Sequence, residues 1–349
     1  MGTDPPSQMT HERQNERIEK RTGRNVFEKR PRVSVVIPAY NSAEFICEAL
    51  DSVIKQRFRE HEIIVVNDGS PDTKQFEQAI RHHLEDIIYI RQENAGAGSA
   101  RNTGIENARG DIIAFLDSDD VWRPEFLASQ TVFLERHNYD MVYCDAVLFG
   151  MHSFHGQTFM ETAPSDGEAN FESILDFRCN VITSGTMVRK QPLIDVGMFE
   201  REHVRAHDFL LWLRLAKNGA KIGYQRKQLL KYRVRLDSLS GDSISRVERE
   251  RDAFERVERD FDLNDEQRSI VKRRIAGLEA DLAVEQGKSF LVNGDFREAE
   301  VAFRVANRYR RSLKLAVVSL LTRFAPRMLL NHYRSKREAE IAFLPRNEN

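Results

Sequence analysis

The chain has 349 residues, enough for one large domain and a smaller appendage when domains run to about 100–200 residues. Its 53 Lys and Arg nearly balance 54 Asp and Glu, for a net charge of -1, so no whole-molecule field favours nucleic acid, and any electrostatic function must be local. The three cysteines, Cys47, Cys144 and Cys179, are widely spaced without a CxxC pair; buried, reduced thiols of a cytosolic chain are expected, and no zinc site.

Residues 1–30 are rich in Arg, Glu, Gln and Asn and almost free of large apolar side chains. Such a stretch cannot bury enough surface to offset ordering, so a mobile or loosely helical N-terminal arm is expected. It carries no apolar signal-peptide core, and nowhere do about 18 apolar residues follow one another, so neither export by an N-terminal signal nor a membrane span is expected. After Pro31, the β-branched run Val33–Ile37 reads as a buried strand stopped by Pro38. Ser42 is placed to cap a helix reaching about Gln56, with Phe45, Ile46, Ala49, Leu50, Val53 and Ile54 on one face. Glu62–Val66 is a second strand, closed by the turn cluster Asn67–Asp72. A third strand over Ile87–Arg91, a glycine-containing loop and a helix over Ala97–Ala108 follow; a fourth strand, Asp111–Leu116, ends in Asp117-Ser118-Asp119-Asp120. Next come a helix around Phe171–Phe177, a strand near Val181–Val188 and a helix over Asp208–Lys217. Beyond Ser243 the sequence becomes highly charged and helical with few glycines.

Strands alternating with helices at this spacing predict an α/β domain over 31–242, a mainly parallel sheet between helices, followed by an α-helical region over 243–349. Ligands of such sheets bind beyond the carboxyl ends of the strands. Pro38-Ala39-Tyr40-Asn41, Asp68-Gly69-Ser70, Asn94–Asn102 and Asp117–Asp120 should therefore line one crevice. Crowded carboxylates are costly unless a cation neutralises them, and hard Mg2+ or Mn2+ takes one or two carboxylates plus phosphate oxygens. The same tetrapeptide also reads as a solvated turn, so the cluster acquires its meaning from the other strand ends.

The ordered series Val35-Val36-Ile37-Pro38-Ala39-Tyr40-Asn41, Val65-Val66-Asn67-Asp68-Gly69-Ser70, Asn94-Ala95-Gly96 with Ala100-Arg101-Asn102-Thr103-Gly104-Ile105, and Phe115-Leu116-Asp117-Ser118-Asp119-Asp120 resembles the family 2 glycosyltransferases. The resemblance extends more loosely to about Ser240 and does not cover the arm or the tail. It implies the GT-A fold, inverting and nonprocessive transfer, a nucleotide-binding half over 31–120 and an acceptor half over 121–242. It also implies that Pro38, Ala39, Tyr40 and Asn41 meet the nucleoside, with Tyr40 stacking on the base, and that Asp68 accepts hydrogen bonds from it. Arg101 would face the nucleotide phosphates, Asp117 the ribose with Ser118 as spacer, and Asp119 the metal. Arg205–Leu215 resembles the base-bearing helix start and nominates Asp208 as general base; Asp208 also reads as the N-cap of its helix. Bland readings stand beside each of these: a ring covering the sheet edge for Tyr40, a surface ion pair for Arg101, an ordinary turn for Asp68.

Two departures from the family pattern concern the acceptor side. His207 stands where an acidic residue is common, and Arg235 where relatives often carry a histidine near the metal. Thr183–Arg189 resembles the strand flanking the sugar pocket, making Gly185 and Thr186 sugar-side candidates or parts of a buried strand. Trp212 reads as a sugar-packing ring or as core. The processive synthases' Gln-x-x-Arg-Trp motif is absent, which favours transfer of one or a few sugars, from a nucleotide-diphosphate sugar, UDP-linked by expectation, to a glycan or lipid-linked acceptor. A nucleotide-dependent oxidoreductase is a poorer match: the glycines at 96 and 98 follow the third strand, and Arg101 stands where the third glycine belongs. A non-catalytic sugar-nucleotide binder that recruits partners through the helical tail is the alternative from another class.

In the tail, Gly287, Phe290, Gly294, Phe296, Ala299, Phe303 and Ala306 match the spacing of one tetratricopeptide-like hairpin over 281–310. No Asp or Glu occurs between Val301 and Arg337, while ten Lys and Arg surround the apolar stretch Leu315–Leu321. This basic amphipathic segment suits either peripheral contact with an anionic membrane, at its inner face, or docking on a subunit.

Overall fold

A computed structural model of the chain describes residues 18–23, 30–150, 156–201, 206–235 and 243–342. Contacts divide the chain into two compact units. The first takes residues up to Val147, Thr158–Asn170 and Asn180–Tyr232; the second takes Leu148–Gln157, Phe171–Cys179 and Arg233 onward. This differs from a single cut after residue 242, because two earlier segments group with the helices. Within the second unit Phe171 lies 5.9 Å from Phe261 and Phe177 meets Phe254 edge-on at 5.5 Å, pairings between residues remote in sequence that a composition shift does not reveal.

In chain order the elements are β1 (Glu19–Thr22), β2 (Val33–Ala39), α1 (Ile46–Ile54), β3 (His61–Asp68), α2 (Thr73–Ala79), β4 (Ile88–Gln92), α3 (Ala97–Asn107), β5 (Ile112–Phe115), β6 (Val121–Trp122), α4 (Phe126–Arg136), β7 (Met141–Gly150), α5 (Phe159–Thr162), α6 (Phe171–Leu175), β8 (Thr186–Arg189), α7 (Lys190–Asp195), α8 (His207–Lys217), β9 (Ile222–Val234), α9 (Ser243–Asp260), α10 (Asp265–Asn293), α11 (Phe296–Arg310), α12 (Leu313–Phe324) and α13 (Pro326–Ala342). The described strands form one sheet in the order β1-β4-β3-β2-β5-β8-β7-β9-β6. The half β4-β3-β2-β5 is parallel, and antiparallel pairings attach β1 to β4 and β8 to β5.

All seven residues of β2 are buried, as befits the central strand of a covered parallel sheet. The strand runs through Pro38 to Ala39, two residues past its expected end at Ile37. On its β5 side pairing ends at Val36↔Phe115, so the missing proline N–H deprives no ladder partner there, and Pro38 keeps its place opposite Val66 of β3. Part of the expected arm is also structured. Glu19–Thr22 lies antiparallel on β4, from Glu19↔Arg91 to Thr22↔Ile88; a polar edge strand borrows backbone hydrogen bonds from the sheet and needs little apolar surface of its own. The rest of the expected arm, 1–17 and 24–29, lies outside the described residues.

In the second unit, α10 starts on an Asn264–Gln267 capping box and ends at Gly294, whose φ of 89° returns the chain into α11. A Cβ on Gly287 would sit 2.8 Å from the Phe303 ring, so the glycine admits that aromatic between the two helices.

Candidate active site

The site is built from the carboxyl ends of the parallel strands. At the end of β2, Asn41 adopts φ 50°, a left-handed turn that asparagine tolerates, and its N–H donates to Ser70 Oγ at 2.7 Å. The Ser70 hydroxyl donates in turn to Asp72, whose other oxygen accepts from the Ala43 N–H at 2.9 Å. These bonds tie the β2 loop to the β3 loop and leave Tyr40 presenting its ring outward, 54% exposed. Pro38 and Ala39 are buried behind it.

Asp68 is turned inward. Its Oδ1 accepts from Gln92 Nε2 at 2.7 Å and the Ala95 N–H at 3.0 Å, and its Oδ2 from the Gly96 N–H at 2.8 Å. Most of the carboxylate's capacity is spent ordering the loop after β4. Gly69, at φ 62°, is required where it stands, since a Cβ would come within 2.6 Å of the Asn94 nitrogen.

Helix α3 delivers Arg101. Gly104 lets the helix lie directly on β2, because a Cβ there would meet Val36 Cγ1 at 2.3 Å. Asn102 clamps the helix to the loop ahead of α8, donating to Phe199 O at 2.7 Å and accepting from its N–H at 2.9 Å. Arg101 is thereby buried to 5% exposure, with Nη2 donating to Asp117 Oδ1 at 2.5 Å and Nη1 on His207 Nε2 at 2.7 Å. A guanidinium can only donate, so His207 Nε2 accepts and the ring is neutral while that bond holds. The Phe199 ring supports both, 5.5 Å from the guanidinium carbon and edge-on at 5.5 Å to the imidazole.

Asp208 lies one residue inside α8. The N-cap is Ala206, held left-handed at φ 57° and making no side-chain cap bond, so the alternative reading of Asp208 as the N-cap is replaced by a first-turn position. Its Oδ1 accepts from the Phe209 N–H at 2.9 Å and its Oδ2 from Thr183 Oγ1 at 3.0 Å. Burial would raise this carboxyl's pKa, but His207 and Arg101, followed by those two hydrogen bonds, outweigh it and hold the pKa below the ordinary carboxylate value. The His207 contribution belongs to a protonated ring, so while the Arg101 bond keeps that ring neutral, Arg101 is the charge that acts on Asp208.

The acidic strand end is anchored from behind. The Asp117 N–H donates to Ser184 Oγ at 3.0 Å, Trp122 Nε1 to Ser184 O at 2.7 Å and Gln130 Nε2 to Gly185 O at 2.9 Å. Ser118 and Asp120 are buried, while Asp117 and Asp119 are partly open. From β9, Tyr232 reaches the same cluster: burial and then the charges of Asp120, Asp117, Asp119 and Asp208 all drive its phenol pKa upward. The charges of all four carboxylates are thus felt at that one hydroxyl.

Several expected positions fall elsewhere. Thr186 is fully buried and donates to Ile182 O at 2.8 Å, and Gly185 makes its close approach to Cys144 of β7, where a Cβ would meet the sulfur at 3.2 Å. Both serve the core, and the residues that face the site are their neighbours Thr183 and Ser184. Trp212 is likewise core, 2% exposed, 6.4 Å from Phe115 and 6.2 Å from Phe199; one helical turn into an apolar face, its ring has more carbon to bury than polar edge to offer. Arg235 follows β9 and groups with the second unit, partly buried. Thr183 and Ser184, expected only as part of the segment flanking the sugar pocket, and Tyr232, which the sequence did not single out, take site positions that depend on non-local contacts.

A sheet whose parallel strand ends carry an acidic cluster, with a carboxylate held ionised beside it, is the arrangement of a glycosyltransferase of the GT-A fold. The sequence model of glycosyl transferase family 2 matches residues 34–197, and the chain belongs to that family. It is 30% identical over 227 residues to an uncharacterized glycosyltransferase of Rickettsia prowazekii, covering 64% of this chain and 70% of that protein. It is also 30% identical over 224 residues to the glycosyltransferase GlyA of Streptococcus pneumoniae, covering 60% of this chain but 31% of GlyA. Among solved structures, S. aureus TarS 1–349 in complex with UDP-GlcNAc superposes with a TM-score of 0.57 at 21% identity, covering 91% of this chain and 94% of that one. The mannosyltransferase PcManGT of Pyrobaculum calidifontis, in complex with GDP-Man and Mn2+, gives 0.58 at 19% identity, covering 87% and 84%.

Proposed function

We propose that this glycosyltransferase moves a single sugar, with inversion, from a nucleotide-diphosphate sugar to a hydroxyl of a glycan, polysaccharide or lipid-linked acceptor, with Asp208 as the general base. The observation that carries the reading is the chain of contacts from Asp117 through Arg101 to His207, adjoining Asp208. It joins the donor-binding strand end to the base within one rigid network. Tyr40, exposed at the end of β2, offers a face for the nucleobase, and Asp117 the ribose contact. The acceptor hydroxyl attacks the anomeric carbon from the side opposite the diphosphate, and Asp208, ionised at neutral pH, takes the proton as the new bond forms. Thr183 fixes the carboxylate's orientation through Oδ2.

The carboxylate donors suit a hard divalent cation. Among the described residues no group of three or more His, Cys, Asp or Glu side chains is arranged to hold a metal unaided. The fitting arrangement is therefore Asp119 as protein ligand with diphosphate oxygens completing the shell. Mn2+ or Mg2+ bound there supplies charge neutralisation to the departing diphosphate. We further propose UDP as the carrier and the cytoplasm as the compartment, where Cys47, Cys144 and Cys179, none of them in a disulfide, stay reduced.

The test is a panel of sugar nucleotides including UDP-GlcNAc and GDP-mannose, read as diphosphate release with and without Mn2+. Asp208→Asn is expected to lower turnover by about 10²–10⁴-fold while nucleotide binding persists. Unchanged turnover in that variant refutes the base assignment, and binding of every donor without release returns the chain to the non-catalytic alternative.

A further inference from the structure

Helix α12 buries one side and leaves an apolar stripe on the other. Val318 packs against the Leu291–Ala299–Phe303 cluster of the hairpin, as do Leu329 and Leu330 of α13. Leu313, Val317, Leu320 and Phe324 stand outside, 87%, 54%, 58% and 72% exposed, and Met328 of α13 continues the patch at 59%. At about 100° per residue, the four α12 side chains fall within roughly 60° of one another. Lys314 and Arg323 lie on opposite flanks of that stripe, both exposed, and Arg311, Arg327 and Arg334 extend the rim. No acidic residue lies between Val301 and Arg337.

We propose that this face is a membrane-adsorbing surface, and that its partner is a bilayer rich in anionic phospholipid. The apolar stripe is of a size to enter the headgroup–acyl boundary, and the cations on its two flanks are placed to meet lipid phosphates on both sides of the buried line. A second copy of this chain is a poor occupant, because a self-complementary contact would set one rim of cations against another. No described helix is long and apolar enough to cross a bilayer, so the attachment is peripheral and reversible by salt.

The experiment is co-sedimentation of the full-length protein with vesicles of phosphatidylcholine alone and of phosphatidylcholine with phosphatidylglycerol in equal parts, at low and high salt, alongside sedimentation velocity without lipid. Binding to the anionic vesicles is expected, weakened by salt and reduced about tenfold or more on neutral ones. Leu320→Glu/Phe324→Glu and Lys314→Glu/Arg323→Glu should each lower anionic-vesicle binding by about tenfold or more, with unchanged circular dichroism, since all four positions are solvent-facing. Equal binding to both vesicle types, failure to bind either, or binding undiminished in both variants overturns the proposal. Self-association lost in Leu320→Glu/Phe324→Glu without vesicle binding overturns it in favour of a second copy.

Discussion

Asp208 is a carboxylate kept ionised by its neighbours, and this has consequences for acid stability. Its pKa lies below that of the unfolded chain, about 3.9. The stability it contributes is present above that unfolded value and lost as pH falls through the lower folded one. Thermal unfolding followed below about pH 4 should therefore fall more steeply for the wild type than for Asp208→Asn; parallel curves would show that Arg101 and His207 do not act on this group. His207 is the acceptor for Arg101, so His207→Ala leaves a donor of a buried guanidinium unpaired. An effect of about 1–3 kcal/mol is expected in stability or in kcat/KM. His207→Gln, whose side-chain oxygen can still accept, should recover most of it; equal losses in both variants would assign the effect to packing against Phe199. The sequence supplied the identities of Arg101, Asp117, Asp119 and Asp208, because each sits in a motif at a strand or helix end. It placed Thr183 and Ser184 only within a segment resembling the strand that flanks the sugar pocket and did not single out Tyr232; they are ordinary polar residues of a turn and a strand until the fold brings Thr183 to Asp208 and Ser184 to Asp117.

At the level of elements, the distance between α3 and β2 governs where Arg101 points. Gly104→Ala would place a Cβ 2.3 Å from Val36 Cγ1 on a strand with no room to move. A loss of about 1–3 kcal/mol in unfolding free energy is expected, together with weaker nucleotide binding as the helix lifts; an unchanged urea midpoint would show that the contact relaxes freely. The strand expected near Val181–Val188 begins only at Thr186, after a 3-10 turn over Thr183–Gly185. Local propensity at Val181 and Ile182 favours extended chain. Trp122, Gln130 and Asp117 instead capture the backbone and hydroxyl of Ser184 and the carbonyl of Gly185. These partners are remote in sequence, and the turn they impose is what carries Thr183 to Asp208.

Across the whole molecule, the two tryptophans, Trp122 and Trp212, are both buried and both in the first unit. Their fluorescence reports unfolding of the transferase unit alone, whereas far-ultraviolet circular dichroism is weighted by α9–α13. A nucleotide at about 100 times its Kd should stabilise the tryptophan-detected transition by about 2.7 kcal/mol. A shift in the dichroism signal with none in the fluorescence would place the nucleotide elsewhere than at the strand ends.

What the sequence by itself determined is the α/β alternation, the GT-A transferase class and the strand-end motifs, because hydrophobic periodicity and turn chemistry are local and strand ends of a parallel sheet converge whatever the details. Only the tertiary structure decided how those residues are used. Asp68 spends its charge on a loop, Trp212 and Thr186 belong to the core, and Arg101 joins Asp117 to His207, because each depends on which distant donors and rings arrive beside it when the sheet closes.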